Sequence, residues 1–391
     1  MNRALVLAAL LCLAPTAGGA AQAAEAAPAA APVPLKIGVL LSRTGVMADI
    51  GAEGEHGFEL AIAELGNQIG GSRFRLQFIY EDSRSTPDGA STAINKLIHR
   101  DHVDLVLGDL TSTVTLAAAP IAQSAQVPLL TPSSTSDKVT AIGDYIFRAC
   151  YVDSFQGLAM ANYAYDALKA RRAAVLVDTD VDHSQDVSRI FAAAFERRGG
   201  QVLETLSFSG SRDTSYLAQL TALRRLKADV IYAPVYYARM GVFFKQAKAF
   251  KLTSQFLGTD AWDSPQLFKL AAGGTAGALL TDPFSYLSPE PVVQDFRRSF
   301  LARYKVEPSS YAALAYDSVH LLADALRRLP ASATAPWAKP LRASLAATSH
   351  VQGVTGDISL DAQRNVAKPN VVILKLTAEA YTYHTTYTPP R

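Results

Sequence analysis

The 391-residue chain carries only two cysteines, Cys12 and Cys150. Cys12 falls in the apolar start of the chain, so an exported mature form is left with Cys150 alone and no intrachain disulfide. Packed cores, not cross-links, must hold the fold. Charge of one sign is also scarce: 37 basic residues against 35 acidic leave a formal net of +2, and the concentrated basic face that nucleic acid requires is missing. The seven histidines, at 56, 99, 102, 183, 320, 350 and 384, are scattered. No H-E-x-x-H helix, G-x-S-x-G elbow, Walker loop or G-x-G-x-x-G turn occurs. Asp182 beside His183 is an acid–base juxtaposition, but no nucleophile is placed near it. We therefore expect no metal, no cofactor and no catalysis.

Beyond the N-terminus no stretch is long and apolar enough to span a bilayer. Residues 1–24 combine Arg3, the apolar run ALVLAALLCLA and a small-residue tail with AQA at 21–23, the pattern of a cleaved secretory signal peptide. Leu11 precedes Cys12 where lipidation requires a small residue, so a soluble periplasmic protein is expected. The Ala/Pro-rich stretch EAAPAAAPVP, residues 25–34, reads as a tether, with the fold starting at Leu35. What remains suits about two domains.

Apolar runs of strand length alternate with helical-period segments over most of that length, the signature of parallel sheets covered by helices. LKIGVLLS (35–42), a helix over 53–66, FRLQFIYED (74–82), a helix after Pro87, VDLVLG (103–108), the helix TVTLAAAPIAQSA and VPLL form one run. AAVLVD (173–178), QVLETLSFS, ADVIYAP and QFLGTD, with helices between them, form a second. The C-terminal part breaks this rhythm with helices near 290–303 and 310–328 followed by TGDISLD and PNVVILKL. Too short for a third sheet, it must add elements to both halves. The predicted fold class is thus α/β: two doubly wound parallel-sheet lobes joined by a multi-crossover hinge. We place the N-terminal lobe at 35–151 and 284–360, and the C-terminal lobe at 152–283 and 361–391. The cleft between such lobes is where a small molecule binds.

Two strand ends in the first half run into hydroxyl-rich loops: LVLGDLTSTVTLAAA, with Thr111, Ser112 and Thr113, and LLTPSSTSD, with Ser133, Ser134, Thr135 and Ser136. In open α/β sheets ligands sit beyond the carboxyl ends of strands. Ser112 opens a helix, whose unpaired N–H groups and dipole suit a carboxylate; equally, it could be a helix cap. The second loop offers carbonyls and hydroxyls to an ammonium or a carboxylate, or forms a plain turn. In the second half FLGTDAW (256–262) puts Asp260 at a strand end, as the partner of a cationic group or as the cap of the next helix.

Together these segments resemble the leucine/isoleucine/valine-binding proteins, type I periplasmic solute-binding receptors of ABC importers. The resemblance runs through KIGVLLSRTG, YEDSRSTPDGA, the G-x-x-T-S loop, LLTPSSTS, RACYVDSFQG, VIYAPVYYARMG, FLGTD and GDISLD, and it rests on their order and spacing. It implies that Ser112 and Thr135 hold a ligand carboxylate, that Ser133, Thr135 and Asp260 hold an ammonium, and that Tyr236 closes the other side, with Thr111 and Ser134 also in contact. A membrane permease and an ATPase are the implied partners. Two positions depart from the family pattern: Ile50 stands where an aromatic residue often precedes the first-lobe helix, and His183-Ser184 stands where Tyr-Gly is usual. His183 then faces a polar ligand group or the carboxylate, or lies in a solvated loop. The same fold with an aromatic acid, amide or urea-like ligand, for uptake or sensing, is the alternative.

Overall fold

A computed structural model describes residues 32–390 except 67, 68, 70 and 72. The expected signal peptide and residues 25–31 of the expected tether lie outside them. Strand β1 (Val33–Leu41) begins two residues before Leu35, so the end of the expected tether belongs to the sheet. Pro34 is tolerated there because pairing with the strand on its far side starts only at Ile37, so its missing N–H costs no ladder bond.

The first sheet continues through helix α1 (Ala48–Leu65), β2 (Phe74–Asp82), α2 (Pro87–His99), β3 (Leu105–Gly108), α3 (Ser112–Ser124), β4 (Leu129–Thr131), a single turn α4 (Lys138–Ala141) and β5 (Ile146–Arg148). Its five strands are all parallel, in the order β2-β1-β3-β4-β5. The apolar run of β3 is buried throughout because its side chains divide between two cores. Val106 packs with Leu97, Val114 and Ala118 of α2 and α3, whereas Leu105 and Leu107 join Phe58 of α1 on the other face.

Helix α5 (Asp153–Asp166) leads to β6 (Arg172–Asp178), α6 (Asp182–Arg197), β7 (Gln201–Phe208), α7 (Leu217–Leu226), β8 (Val230–Tyr232), α8 (Tyr237–Ala247), β9 (Gln255–Gly258), α9 (Gln266–Ala271) and β10 (Leu279–Asp282). Next come α10 (Pro291–Tyr304), α11 (Ser310–Arg327), α12 (Ala338–Ala346), a hairpin of β11 (Val351–Gly353) and β12 (Gly356–Ile358), β13 (Val371–Leu376) and β14 (Tyr381–Tyr387). The second sheet has the order β14-β13-β10-β9-β8-β6-β7. It is parallel except where β13 pairs antiparallel with β10 and β14 with β13. The chain leaves the first sheet for the second after β5; after β10 it runs through α10–α12, with α11 packed on α1, and it returns to the second sheet at β13. Contrary to expectation, the C-terminal part does form a small third sheet, of β11 and β12, because the hairpin pairs only with itself.

Helix α1 starts at Ala48, five residues before the expected 53. Its glycines look like helix breakers, yet they are where the helix meets other backbone. A Cβ at Gly57 would lie 2.1 Å from the carbonyl oxygen of Ala312 in α11, and one at Gly51 would lie 1.9 Å from that of Ser42. The earlier start puts Ile50 inside the helix instead of before it.

Candidate functional site

The two hydroxyl-rich loops are stitched together by a residue that pattern reading overlooked. Asp109, fully buried just after β3, accepts from the backbone N–H of Leu110 (2.6 Å) and Thr111 (3.0 Å) and from the hydroxyls of Ser83 (2.7 Å) and Ser42 (3.2 Å). Burial pushes its carboxyl up, and these four donors oppose that shift. Its backbone carbonyl takes the hydroxyl of Thr131 at 2.6 Å, and Ser133 donates to the carbonyl of Leu110 at 2.7 Å. Both strand ends are thus fixed relative to each other before any ligand arrives.

On this scaffold Ser112 is the first residue of α3, and its hydroxyl oxygen accepts from Ser136 N–H at 3.1 Å. Its own O–H remains able to donate to a carboxylate, alongside the free N–H groups of the first helical turn. Thr111 occupies the cap position without a side-chain capping bond and lines the interlobe cavity. Two expected contact residues are placed elsewhere. Ser134 is buried inside the lobe, its hydroxyl 2.7 Å from that of Thr115 and its carbonyl held by Arg148 at 2.7 Å. Ile50 is packed in the hydrophobic core, and Val46 and Met47, just before α1, line the cavity instead.

The second sheet supplies the opposing wall. The turn after β9 is capped by Thr259, whose hydroxyl accepts from Ala261 N–H, so Asp260 is not the cap. Asp260 is 4% exposed, and its Oδ1 has no hydrogen-bond partner among the described residues. Burial pushes its carboxyl up to about 6; His183 pulls it down and Asp153 pushes it further up. Tyr236 caps α8 and lines the cavity, with its ring centroid 5.8 Å from that of His183.

His183 is 2% exposed and is no part of a solvated loop. From the first turn of α6 it reaches across the cleft. Its Nδ1 lies 2.9 Å from Asp153 Oδ1 and 3.1 Å from Thr135 Oγ1, and its Nε2 lies 3.0 Å from Thr259 Oγ1. Burial draws the imidazole down, but the carboxylates of Asp153, Asp260 and Asp186 outweigh it and hold it above its usual value. Asp153 shows the converse: burial raises it, His183 more than compensates, and its carboxyl stays below the usual range. The pair neutralises itself; Asp260 Oδ1 remains without a partner among the described residues, as do Asp153 Oδ2 and Asp282 Oδ2.

Other contacts join the lobes around this centre. Thr113 Oγ1 lies 3.1 Å from Asp182 Oδ2, Lys138 Nζ 2.8 Å from Asp186 Oδ2, and Tyr237 donates to Asp49 at 2.9 Å. Beside them the cleft keeps a cavity of about 290 Å³, lined among others by Met47, Thr111, Thr113, Asp178, Tyr236 and Arg239. The contacts join Thr135, His183 and Tyr236, with Asp260 near enough to His183 to bear on its charge; Ser112 and Ser133 bond within the first-sheet loops, and of the expected site residues Thr111 and Tyr236 line the cavity. Among the described residues no group of histidine, cysteine and acidic side chains could hold a metal ion, and no helix is long and apolar enough to cross a membrane.

Comparison with known proteins identifies the family and the fold. A family model described as "Periplasmic binding protein" matches residues 34–380. The leucine-specific-binding protein of Salmonella typhimurium is 26% identical over 317 residues, covering 80% of this chain and 84% of that protein. Among solved structures, a leucine-binding protein from Thermotoga maritima superposes with a TM-score of 0.85 at 29% identity, covering 91% of this chain and 99% of its own. A branched-chain amino acid transporter substrate-binding protein from Streptococcus pneumoniae, in complex with isoleucine, gives 0.83 at 28% identity over 91% and 100%.

Proposed function

We propose that this chain, which belongs to the periplasmic binding protein family, captures a small amino acid between its lobes in the periplasm and delivers it to the permease and ATPase of an ABC importer. It binds its ligand and does not transform it. The observation that carries the reading is the buried Asp260 carboxyl, whose Oδ1 has no partner among the described residues, beside the His183 that reaches Thr135 of the first-sheet loop. A lone buried carboxylate is costly unless a cation meets it, and the ligand ammonium is that cation. The Ser133 carbonyl and the Thr135 hydroxyl complete its shell. The ligand carboxylate then takes the Ser112 hydroxyl, the first-turn N–H groups of α3 and the Thr135 hydroxyl. His183, paired with Asp153, holds Thr135 in place, and Tyr236 covers the head group.

The moving units are 35–151 with 284–360 and 152–283 with 361–391, joined by the three crossing segments. Only a ligand that touches both lobes shifts the balance toward closure. Calorimetric titration with a panel of amino acids tests the reading. At least one should bind, and Asp260→Ala should weaken it by roughly tenfold to a hundredfold, the value of a charge-assisted bond. Unchanged binding in that variant would remove the ammonium role. Silence to every amino acid with a response to an aromatic acid, an amide or urea would transfer the site to that ligand class.

A further inference from the structure

The cavity reaches the head-group residues at Thr111 and Tyr236; its walls are mostly apolar, but two charged side chains, Asp178 and Arg239, border it with bonding capacity unused. Arg239 follows Tyr236 by one helical turn, its N–H donating to the Tyr236 carbonyl at 3.1 Å, and both side chains line the cavity. Residues three apart on a helix lie about 5–6 Å from each other, which is the reach of a short amino-acid side chain beyond its head group. Arg239 is half-buried, and its guanidinium makes no hydrogen bond or ion pair with any described residue. Facing the same space is Asp178, buried at the end of β6. Its Oδ1 accepts from the N–H groups of Asp180 and Gly210, both at 3.0 Å, while its Oδ2 takes no bond from a described residue. Burial pushes this carboxyl up, and Arg239 is near enough to oppose that. Asp180 also borders the cavity, but it is exposed and already holds Ser211 N–H and the Ser209 hydroxyl, both at 2.8 Å. Met47, Val114 and Val181 are among its apolar walls.

The geometry points to a ligand whose side chain ends in a neutral carboxamide, its oxygen accepting from Arg239 and its amide N–H donating to Asp178 Oδ2. The assignment rests on the head-group reading above and specifies its far end. A cation and an anion that both keep bonding capacity are satisfied together by a group that accepts and donates. An aliphatic side chain would strip water from both and return nothing, the situation in which polar sites reject apolar analogues most strongly. A side-chain carboxylate would satisfy Arg239 and set a second anion against Asp178. Leucine and glutamine are close in size, so the discrimination is one of polarity.

Calorimetry on the full protein, freed of bound solute, with glutamine, asparagine, glutamate and leucine decides the matter. The better of the two carboxamides should bind at least about tenfold more tightly than either leucine or glutamate, one charge-assisted hydrogen bond being worth about that factor or more. In Arg239→Met the preference over leucine should shrink by about tenfold, with leucine affinity unchanged or improved. Leucine or glutamate binding more tightly than both carboxamides in the native protein overturns the assignment and leaves the head-group reading standing, as does a carboxamide preference untouched by Arg239→Met. Silence to all four, together with silence across the wider amino-acid panel, fails the head-group reading itself. The native ranking requires no variant to fold.

Discussion

At the scale of single residues the site is an arrangement of three buried charges with unequal partners. Asp153 Oδ1 meets His183 at 2.9 Å, whereas the Asp260 carboxyl has no ion pair; each acid keeps one oxygen unbonded among the described residues. That inequality predicts a pH dependence for ligand binding. The ammonium needs ionised Asp260, whose carboxyl is pushed up to about 6, so the part of the affinity that depends on it should be flat above that pH. It should fall by up to about tenfold per pH unit below it, as the proton competes. Titrations between pH 4.5 and 8 would show the bend, and Asp260→Asn should remove it along with most of the affinity. The His183–Asp153 pair contributes to folding stability with its own signs. The histidine is raised, so its share is fully present below its unfolded value of 6.5 and is lost as pH rises through its folded value. The aspartate is depressed, so its share is present above 3.8 and lost as pH falls through its folded value.

Among the elements, α1 and α11 meet so closely that a glycine is required where they touch. Adding a side chain at Gly57 drives a Cβ to 2.1 Å from the Ala312 carbonyl, and neither backbone has room to move without disturbing the first sheet. Gly57→Val should therefore destabilise the fold by about 1–3 kcal/mol in urea unfolding. Ala63→Ser, at an exposed position of the same helix, should stay within about 0.5 kcal/mol. The start of α2 shows the opposite case, in which local sequence suffices. Thr86 accepts from Gly89 N–H at 3.1 Å and Pro87 takes the first helical position, so cap and starting residue are written within four residues. The start of α1 has no such signal: Met47 makes no side-chain capping bond. The helix begins there because its glycine-lined face packs against Ser42 and Ala312, and neither contact can be read from spacing along the chain.

For the whole molecule, closure depends on contacts of very different value. The Lys138–Asp186 pair spans the cleft at 2.8 Å, but the lysine side chain is 56% exposed, and exposed pairs contribute about 0–1 kcal/mol. Lys138→Ala should weaken ligand binding by no more than about fivefold, and less at high salt. A fall in radius of gyration on adding a saturating ligand, measured by small-angle scattering, should persist in that variant. It should disappear in Asp260→Ala at ligand concentrations that close the native protein.

The sequence by itself determined the α/β class, most strands and helices of the two parallel runs, and the hydroxyl-rich strand ends that face the cleft. Each of these is a local pattern, an apolar run of fixed length or a small polar residue following one. It also singled out Asp260 and His183, because a charge at a strand end or a helix start stands out in an apolar chain. Only the tertiary structure decided that Thr259, and not Asp260, caps its turn, and that Ser134 is spent within its lobe. The pairing of His183 with Asp153, the anchoring of both loops by Asp109, and the placing of Arg239 and Asp178 on one cavity were likewise settled in three dimensions. Those outcomes join residues from different strands, and in a doubly wound sheet strands far apart in the chain become neighbours only when the core between them forms.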